Sequence, residues 1–308
     1  MSYHFVDISE SGAVVSVKDR QLVCKTKDGT SRSIPLEDAG AVLVTAFSAL
    51  LHNSFLVEAA KSKTAVVFCE RFRPVSILLP VSRGADTLLT RAQISSSTRL
   101  REAVWRKTVD AKLANQFSLL TELSAEEKLL EEFRCCARRI DPGREGNCAR
   151  IYWNGIAVRL GREGFRRGRE GDGLNALLNY GYGVLLTRIL QRLLATGLDP
   201  MYGVGHAVRE RAAPLAYDLM EPFRPAFDRA VVQWGEICLA EGRPLDVNAD
   251  FKRAVLGVLQ SRHPMEKGPT VSVDVAIERT IASLKSAFLS GKPTAYKPWT
   301  RRSSRWDG

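Results

Sequence analysis

Short apolar runs separated by turn residues dominate the first part of the chain. The runs HFVDIS, AVVSVK and QLVCKT are rich in valine and other strand formers, and KDGT at 27–30 supplies a glycine-containing turn before SRSIPL. AVLVTA and TAVVFCE are apolar enough for buried strands, and HNSFLVEAAKSK between them has a helical pattern with Asn53 as a cap candidate. The pattern predicts a small, mostly β domain with one helix.

The apolar period changes from that of strands to that of helices after the Ser95–Ser97 run. A long helix is predicted there because apolar residues recur every three to five positions, at Leu100, Val104, Val109, Leu113, Phe117 and Leu120. A second helix should open at a capping box formed by Ser124 and Glu127. A third should open at the Asp141–Pro142 pair, with the aspartate as cap. A fourth, starting at LNALLNYGYG, should end at Gly197 and Pro200.

These patterns predict an α+β fold, with a small N-terminal mostly-β domain followed by a larger all-helical domain. We expect a β-rich domain over 1–85, a linker over 86–95, an α-helical catalytic domain over 96–290 and a basic tail over 291–308. Gly181 and Gly183 lie inside a predicted helix, which suggests that another element packs closely there.

Composition narrows the class of partner. The 308 residues are 45% hydrophobic and carry a net charge of +11, so the chain should fold and attract polyanions, with nucleic acid as the leading partner. Charge alone does not separate DNA, RNA and an anionic membrane. No apolar run reaches the roughly 18 residues of a membrane helix, and no signal peptide is evident, so a cytoplasmic location without membrane contact is expected. The six cysteines form no CxxC pair and are interpreted as reduced residues.

Two stretches concentrate the basic residues. The first is a glycine-containing loop over 159–170, and its arginines include Arg162, Arg166 and Arg167. The second is the tail, where Tyr296, Trp299 and Trp306 stand among lysines and arginines. Aromatic residues among cations suit nucleic-acid binding, but a tail whose aromatic side chains dock on the body is an equal alternative.

Three positions carry candidate chemistry. Glu145 lies at the end of an inward-facing helical stripe, although an acid in a first helical turn commonly just offsets free N–H groups. His206 follows two glycines in GVGH, where a neutral imidazole can meet a metal, although a lone histidine is more often structural. Asp218 and Glu221 stack three apart before Pro222, which must kink or restart the helix; a surface ion pair of Glu221 with Arg224 is the alternative.

Two or three carboxylates with one histidine would form a mainly oxygen-donor site, which suits Mg²⁺ or Mn²⁺. In a strongly basic protein, such a site indicates phosphodiester chemistry. The spacings between these residues match no local metal motif.

Several segments together resemble the CRISPR-associated protein one family, the integrases that insert new spacers into CRISPR arrays. In order and spacing, these are GREGNCARIYW, LNALLNYGYGVLL, GLDPMYGVGH and LAYDLMEPFRP, with WRKTVDAKLANQ and IPLEDAGAVLV ahead of them. The resemblance implies that Glu145, His206 and Glu221 are the catalytic metal ligands and that Asp218 is an acid beside the site, as ligand or support.

The resemblance also implies how the reaction proceeds and with which partners. A DNA 3′-hydroxyl would attack a phosphodiester in the repeat, in a prokaryotic cytoplasm, with the protein acting as a homodimer beside a dimer of CRISPR-associated protein two. The candidates for DNA contacts are Arg150, Arg162, Arg166, Arg167, Arg209, Arg224 and Tyr152, whereas Tyr180 and Tyr182 are expected in the core. Arg144, Ala207 and the RERAAP segment depart from the family pattern. A non-catalytic DNA-binding scaffold and a repair-type nuclease on branched DNA remain as alternatives.

Overall fold

A computed structural model describes residues 4–78, 87–139, 143–168, 173–205, 213–264 and 269–301. Strands come first and helices follow, as the apolar periods predict. The strands of the described part are β1 (His4–Ile8), β2 (Val14–Lys18), β3 (Gln21–Lys25), β4 (Ser31–Pro35), β5 (Ala39–Val44), β6 (Leu50–Leu51), β7 (Ala65–Glu70), β8 (Arg73–Leu78), β9 (Arg262–His263) and β10 (Val271–Ser272). The helices of the same part are α1 (Asn53–Lys61), α2 (Thr87–Ile94), α3 (Thr98–Glu122), α4 (Glu127–Ala137), α5 (Arg144–Arg159), α6 (Gly173–Thr196), α7 (Pro214–Met220), α8 (Arg224–Ala240), α9 (Ala249–Val258) and α10 (Val273–Ser290).

The N-terminal domain consists of two four-stranded sheets. One has the order β1-β5-β7-β8, with β8 antiparallel to β7 and the other neighbours parallel; the other has the order β4-β3-β2-β6. Phe55 of α1 is fully buried in the same apolar cluster as Val15, Val42 and Val66. The predicted turn after β3 contains Gly29 in the left-handed region (φ 86°). This domain confirms the predicted mostly-β unit with one helix.

The central helix α6 joins the two halves of the molecule. It packs on β5, β7 and β8 on one side and on α7, α8 and α10 on the other. A Cβ added to Gly183 would meet Leu43 at 3.6 Å, and one added to Gly181 would meet Phe227 at 3.7 Å, which are ordinary contacts. Neighbouring elements therefore lie against both glycines, as expected, but space alone does not require glycine at either position.

Helix α2 occupies the stretch where a linker over 86–95 is expected. Leu89 of α2 is fully buried, and the Gln93 side-chain amide donates hydrogen bonds to the carbonyl oxygens of Asp199 (2.8 Å) and Tyr202 (3.2 Å). These contacts belong to the helical half, so α2 is part of that half and not a linker. A second small difference is the antiparallel pair β9–β10, which lies within the half predicted to be all-helical.

Helix ends agree with the predicted caps at some positions and differ at others. Ser97 caps α3 by accepting a hydrogen bond from the Leu100 N–H, as the serine run suggests. The predicted capping box at Ser124 is wrong, because that residue has a left-handed φ of 55° and α4 begins after Glu126. Helix α1 is preceded by His52, one residue before the predicted cap at Asn53. Helix α5 begins after Gly143, and the Asp141–Pro142 pair lies outside the described residues.

The described part of the tail packs on the helical body. Tyr296 and Trp299 are each 1% exposed, and the Tyr296 hydroxyl pairs with Thr108 Oγ1 at 2.9 Å. Lys107 Nζ donates to the carbonyl oxygens of Pro293 and Tyr296. The docking alternative therefore holds for these two aromatic residues, while Trp306 lies outside the described residues. Across the described ranges, no helix combines the length and the apolar character that a membrane crossing needs.

Candidate metal centre and nucleic-acid interface

A buried polar stripe runs along α3 beside its apolar one. Thr108, Lys112 and Asn115 follow each other at helical spacing, and they are 0%, 9% and 0% exposed. Buried polar groups are expensive unless they are paired. Each member of the stripe accordingly has at least one partner from another part of the chain: Thr108 has one, Lys112 has two and Asn115 has three.

The ammonium of Lys112 lies between Glu145 and Glu221. Lys112 Nζ is 2.6 Å from Glu145 Oε1 and 2.7 Å from Glu221 Oε2. Glu145 comes from the first turn of α5 and has a side chain 37% exposed, whereas that of Glu221 is 5% exposed. Three distant segments thus bring two carboxylates to one cation. We call Glu145 and Glu221 the carboxylate pair.

Pro222, a residue of α3 and a tail residue determine the local structure at Glu221. Helix α7 ends at Met220, a 3₁₀ turn covers Glu221–Phe223, and α8 starts at Arg224, so the chain restarts at Pro222 as predicted. Asn115 Nδ2 donates to the Pro222 carbonyl oxygen at 2.7 Å. The Phe223 ring stacks on Trp299 with 5.1 Å between centroids. The turn that presents Glu221 is therefore held from α3 and from the tail.

Arg224 is a second cation on Glu221, at 3.0 Å from Oε1. Burial alone would lower the pKa of Arg224. The negative charge of Glu221 is the main effect that opposes burial, and the pKa is raised. The same balance applies to Lys112. Burial lowers the pKa of Lys112, but Glu221 and Glu145 outweigh burial and raise the pKa above its ordinary value. Both cations therefore stay charged beside Glu221.

Asp218 supports the loop that leads to His206. Its Oδ2 atom accepts hydrogen bonds from the N–H groups of Val204 (2.6 Å) and Gly205 (2.9 Å). Gly205 also lies so close to Trp105 that an added Cβ would be 2.3 Å from the ring, so only glycine fits. Asp218 is thereby engaged with the backbone immediately before position 206. His206 itself lies outside the described residues.

A second buried acid lies further along α8. Asp228 is 1% exposed and accepts 2.7 Å hydrogen bonds from the hydroxyls of Tyr152 and Tyr182, one at each oxygen. Burial raises the pKa of Asp228 to about 6, against the effect of the two tyrosine hydrogen bonds. Tyr152 is fully buried here, so the DNA contact predicted for it is wrong. Tyr182 lies in the core, as expected. We call these three residues the tyrosine–aspartate cluster.

An arginine-lined cavity adjoins this cluster, between β8 and the helical half. Its volume is about 630 Å³, and Arg73, Arg167 and Arg224 line it together with Asn179 and Tyr217. Arg167 is held by 2.9 and 2.8 Å hydrogen bonds to the side-chain oxygens of Asn175 and Asn179. The described residues that line the cavity include no acid. Such a concave cationic surface suits phosphate groups.

The Tyr182 ring connects this cavity with the carboxylate pair. The guanidinium carbon of Arg224 lies 4.5 Å from the ring centroid, and that of Arg167 lies 5.3 Å from it. Since Arg224 also contacts Glu221, the cationic cavity reaches the acids directly.

The remaining predicted DNA contacts are dispersed. Arg162 and Arg166 are exposed in the segment after α5. Arg150 is exposed on α5 and forms an ion pair with Glu132 at 3.2 Å. Arg209 lies outside the described residues. Among the described residues of the predicted set, Arg167 and Arg224 therefore converge on the cavity.

The donor set suits a divalent cation. Two carboxylates already converge on one positive group, and oxygen ligands are what Mg²⁺ and Mn²⁺ prefer. Among the described residues, no three histidine, cysteine or acidic side chains together form a metal-binding group. The third ligand that the resemblance implies, His206, lies outside that part of the chain.

Sequence reasoning missed Lys112, Asn115 and Asp228. A signal existed for the first two, because polar residues recur at helical spacing along α3 next to an apolar stripe. Asp228 offers no such signal, since α8 also carries Glu236 and two arginines, and one aspartate among them does not stand out.

Comparisons with known proteins agree with this architecture. The family model described as CRISPR associated protein Cas1 matches residues 6–236. The CRISPR-associated endonuclease Cas1 of Korarchaeum cryptofilum is 30% identical, over 92% of this chain and 94% of that protein. A casposase solved bound to its integration product has the same fold, with a TM-score of 0.76 and 19% identity over 95% of this chain and 94% of that one. A Cas6–RT–Cas1–Cas2 complex contains a chain that matches with a TM-score of 0.80 and 16% identity, over 98% of this chain and 37% of that one.

Proposed function

Because this chain belongs to the CRISPR-associated Cas1 family, we propose that it is a metal-dependent DNA integrase and endonuclease that inserts short DNA fragments into a CRISPR array. One observation carries the proposal: Glu145 and Glu221, from different parts of the fold, meet at one cation beside an arginine-lined cavity. Acids gathered for stability alone would not require a neighbouring arginine-lined cavity.

Glu145, Glu221 and, by resemblance, His206 would hold Mg²⁺ or Mn²⁺. When bound, the ion polarises a phosphodiester and stabilises the attacking or leaving oxygen. The chain contributes positioning. Arg224 fixes one oxygen of Glu221, and Asp218 holds the backbone ahead of His206. The nucleophile would be the 3′-hydroxyl of the incoming DNA, so no activated serine or cysteine is required.

The arginine-lined cavity would bind DNA phosphates close to the reacting group. Arg73, Arg167 and Arg224 can neutralise charge there, and Tyr217 also lines the cavity. The expected partners are DNA, a second copy of the chain and a dimer of CRISPR-associated protein two. The fold shared with a chain of a Cas6–RT–Cas1–Cas2 complex supports the last of these.

The test is strand transfer of a short labelled duplex with free 3′-hydroxyls into a supercoiled plasmid, with Mn²⁺, Mg²⁺ or EDTA, with and without the partner protein. Glu145→Gln is the first variant, because the Glu145 side chain is 37% exposed and Lys112 keeps Glu221 as a partner. We expect joined product only with metal, and a loss of roughly 100-fold or more in the variant, since even outer-shell changes at metal sites cost about 10–100-fold.

Glu58→Gln is the matched control, because the Glu58 side chain is similarly exposed (40%), pairs with Lys61 on α1 and does not belong to the carboxylate pair. It should integrate like the wild type. DNA binding without joined product, with either metal and with the partner present, would favour a non-catalytic scaffold. Cleavage of branched DNA without joining would favour a repair-type nuclease.

A further inference from the structure

Lys112 has an unusual position for a lysine, and this position carries an inference that rests on the proposed function. Its side chain is 11% exposed, and its ammonium contacts one oxygen of each member of the carboxylate pair. It thus lies where a divalent cation bridging the same acids would lie. We propose that Lys112 is a built-in counter-ion that keeps the carboxylate pair assembled without metal and that a divalent cation must displace.

Electrostatics gives the reason for the first half of the proposal. Two carboxylates that face each other repel, and repulsion grows where water is scarce. Glu221 has Arg224 at its other oxygen, but among the ion pairs of the described residues Glu145 is paired only with Lys112. Without the ammonium, the more exposed Glu145 would turn towards solvent. The lysine therefore preserves the geometry in which two oxygens converge.

The second half follows from space and charge. The ammonium and a divalent ion cannot both contact Glu145 Oε1 and Glu221 Oε2 at bonding distance. A lysine ammonium is a compact charge on a flexible four-carbon stem, so it can withdraw without moving α3. Displacing it costs part of the metal-binding free energy, and removing it should tighten metal binding.

The experiment is a Mn²⁺ titration followed by electron paramagnetic resonance, which counts free ion, together with thermal unfolding with and without Mn²⁺. Lys112→Met keeps an unbranched side chain and removes the charge. We expect it to bind Mn²⁺ about ten-fold more tightly than the wild type, as expected for one charge removed within several ångströms of the ion. It should also melt at a lower temperature without metal and show a larger upward shift with it.

Two variants separate the charge from the packing. Lys112→Arg keeps the positive charge and should restore a metal affinity close to that of the wild type. Lys107→Met removes another lysine from the same helix, one that contacts tail carbonyl oxygens and not the acids. It should lower thermal stability yet leave Mn²⁺ affinity unchanged.

The outcomes distinguish this inference from the proposed function. If the wild type binds Mn²⁺ and Lys112→Met binds it equally well or more weakly, the inference is overturned and the metal site stays in place. Binding by Lys112→Met alone would support the inference in its strongest form. Absence of binding in both proteins would overturn the inference and the proposed metal dependence together.

Discussion

Glu221 and Asp228 are both buried acids of one short region, yet their partners differ in kind. Glu221 precedes α8 and is contacted by two cations, Lys112 and Arg224. Asp228 lies within α8 and accepts hydrogen bonds from two neutral tyrosine hydroxyls. A cation can be exchanged for another cation, whereas a tyrosine hydroxyl in the core cannot leave without a loss of packing. Burial alone therefore does not distinguish the acid that we propose as a metal ligand, whereas the charge of its partners does.

The largest effect on stability should follow a change at the carboxylate pair. Glu221→Gln leaves the charges of Lys112 and Arg224 close together without their shared acid, and breaking a buried pair costs several kcal/mol. We expect a loss of about 3–5 kcal/mol in the free energy of unfolding, measured by urea denaturation in EDTA. A double variant with Lys112→Met should recover part of this loss. Strictly additive losses would mean that the two residues are not coupled.

The next effect concerns the tyrosine–aspartate cluster. Asp228→Ala removes the acceptor of two buried hydroxyls, and each orphaned buried donor costs about 1–3 kcal/mol. We expect a loss of about 2–4 kcal/mol in the free energy of unfolding. Mn²⁺ affinity should stay as in the wild type, because the cluster does not contact the carboxylate pair directly. If Asp228→Ala lost Mn²⁺ affinity as well as stability, Asp228 and Glu221 could not be assigned different roles.

A pH dependence sharpens the same contrast. Burial raises the pKa of Asp228 from 3.8 to about 6, so between these values the folded protein binds more protons at this site than the unfolded chain. The contribution of Asp228 to stability is thus present below its ordinary pKa and is lost as the pH rises through about 6. The free energy of unfolding of Asp228→Asn, relative to that of the wild type, should therefore increase by about 2–3 kcal/mol between about pH 4 and pH 6.5. Urea denaturation at several pH values measures both free energies. A constant difference between the two proteins across that pH range would contradict this assignment.

The smallest effect should come from the arginine-lined cavity. Arg73→Ala removes one cation from its wall, so DNA affinity should fall about three- to ten-fold and the salt dependence of binding should decrease by about one phosphate contact. Fluorescence anisotropy at several salt concentrations measures both quantities. Arg253→Ala is the control, because Arg253 is exposed and pairs with Asp250 on α9. Equal effects of the two substitutions would mean that the cavity is not a preferred DNA site.

Much of the fold follows from local patterns in the sequence. The buried stripe of α3, the strands around α1 and the restart at Pro222 each depend on neighbouring residues, and all are present as predicted. Helix α2 did not follow, because its eight residues carry a weak apolar period. It is held by contacts such as those of Gln93, which depend on the tertiary fold.

The site was predictable only in part. Glu145 and Glu221 stand out by family resemblance, but their meeting at Lys112 depends on how α3, α5 and the 3₁₀ turn pack. Tyr152 shows the converse error: it was a candidate for a DNA contact, and its hydroxyl instead satisfies a buried acid. The predicted roles of His206 and Arg209 remain predictions, because these residues lie outside the described part of the chain.

The most direct test of the proposal that a divalent cation displaces Lys112 is a crystal structure of the protein soaked in Mn²⁺, with anomalous diffraction recorded to locate the ion. We predict an anomalous peak roughly 2.1 Å from one oxygen each of Glu145 and Glu221, with the Lys112 ammonium withdrawn from both acids. The contrary result would come from protein that is active in integration. If its Mn²⁺-soaked crystals showed Lys112 still between the two acids and the ion bound elsewhere, the carboxylate pair would not be the metal centre.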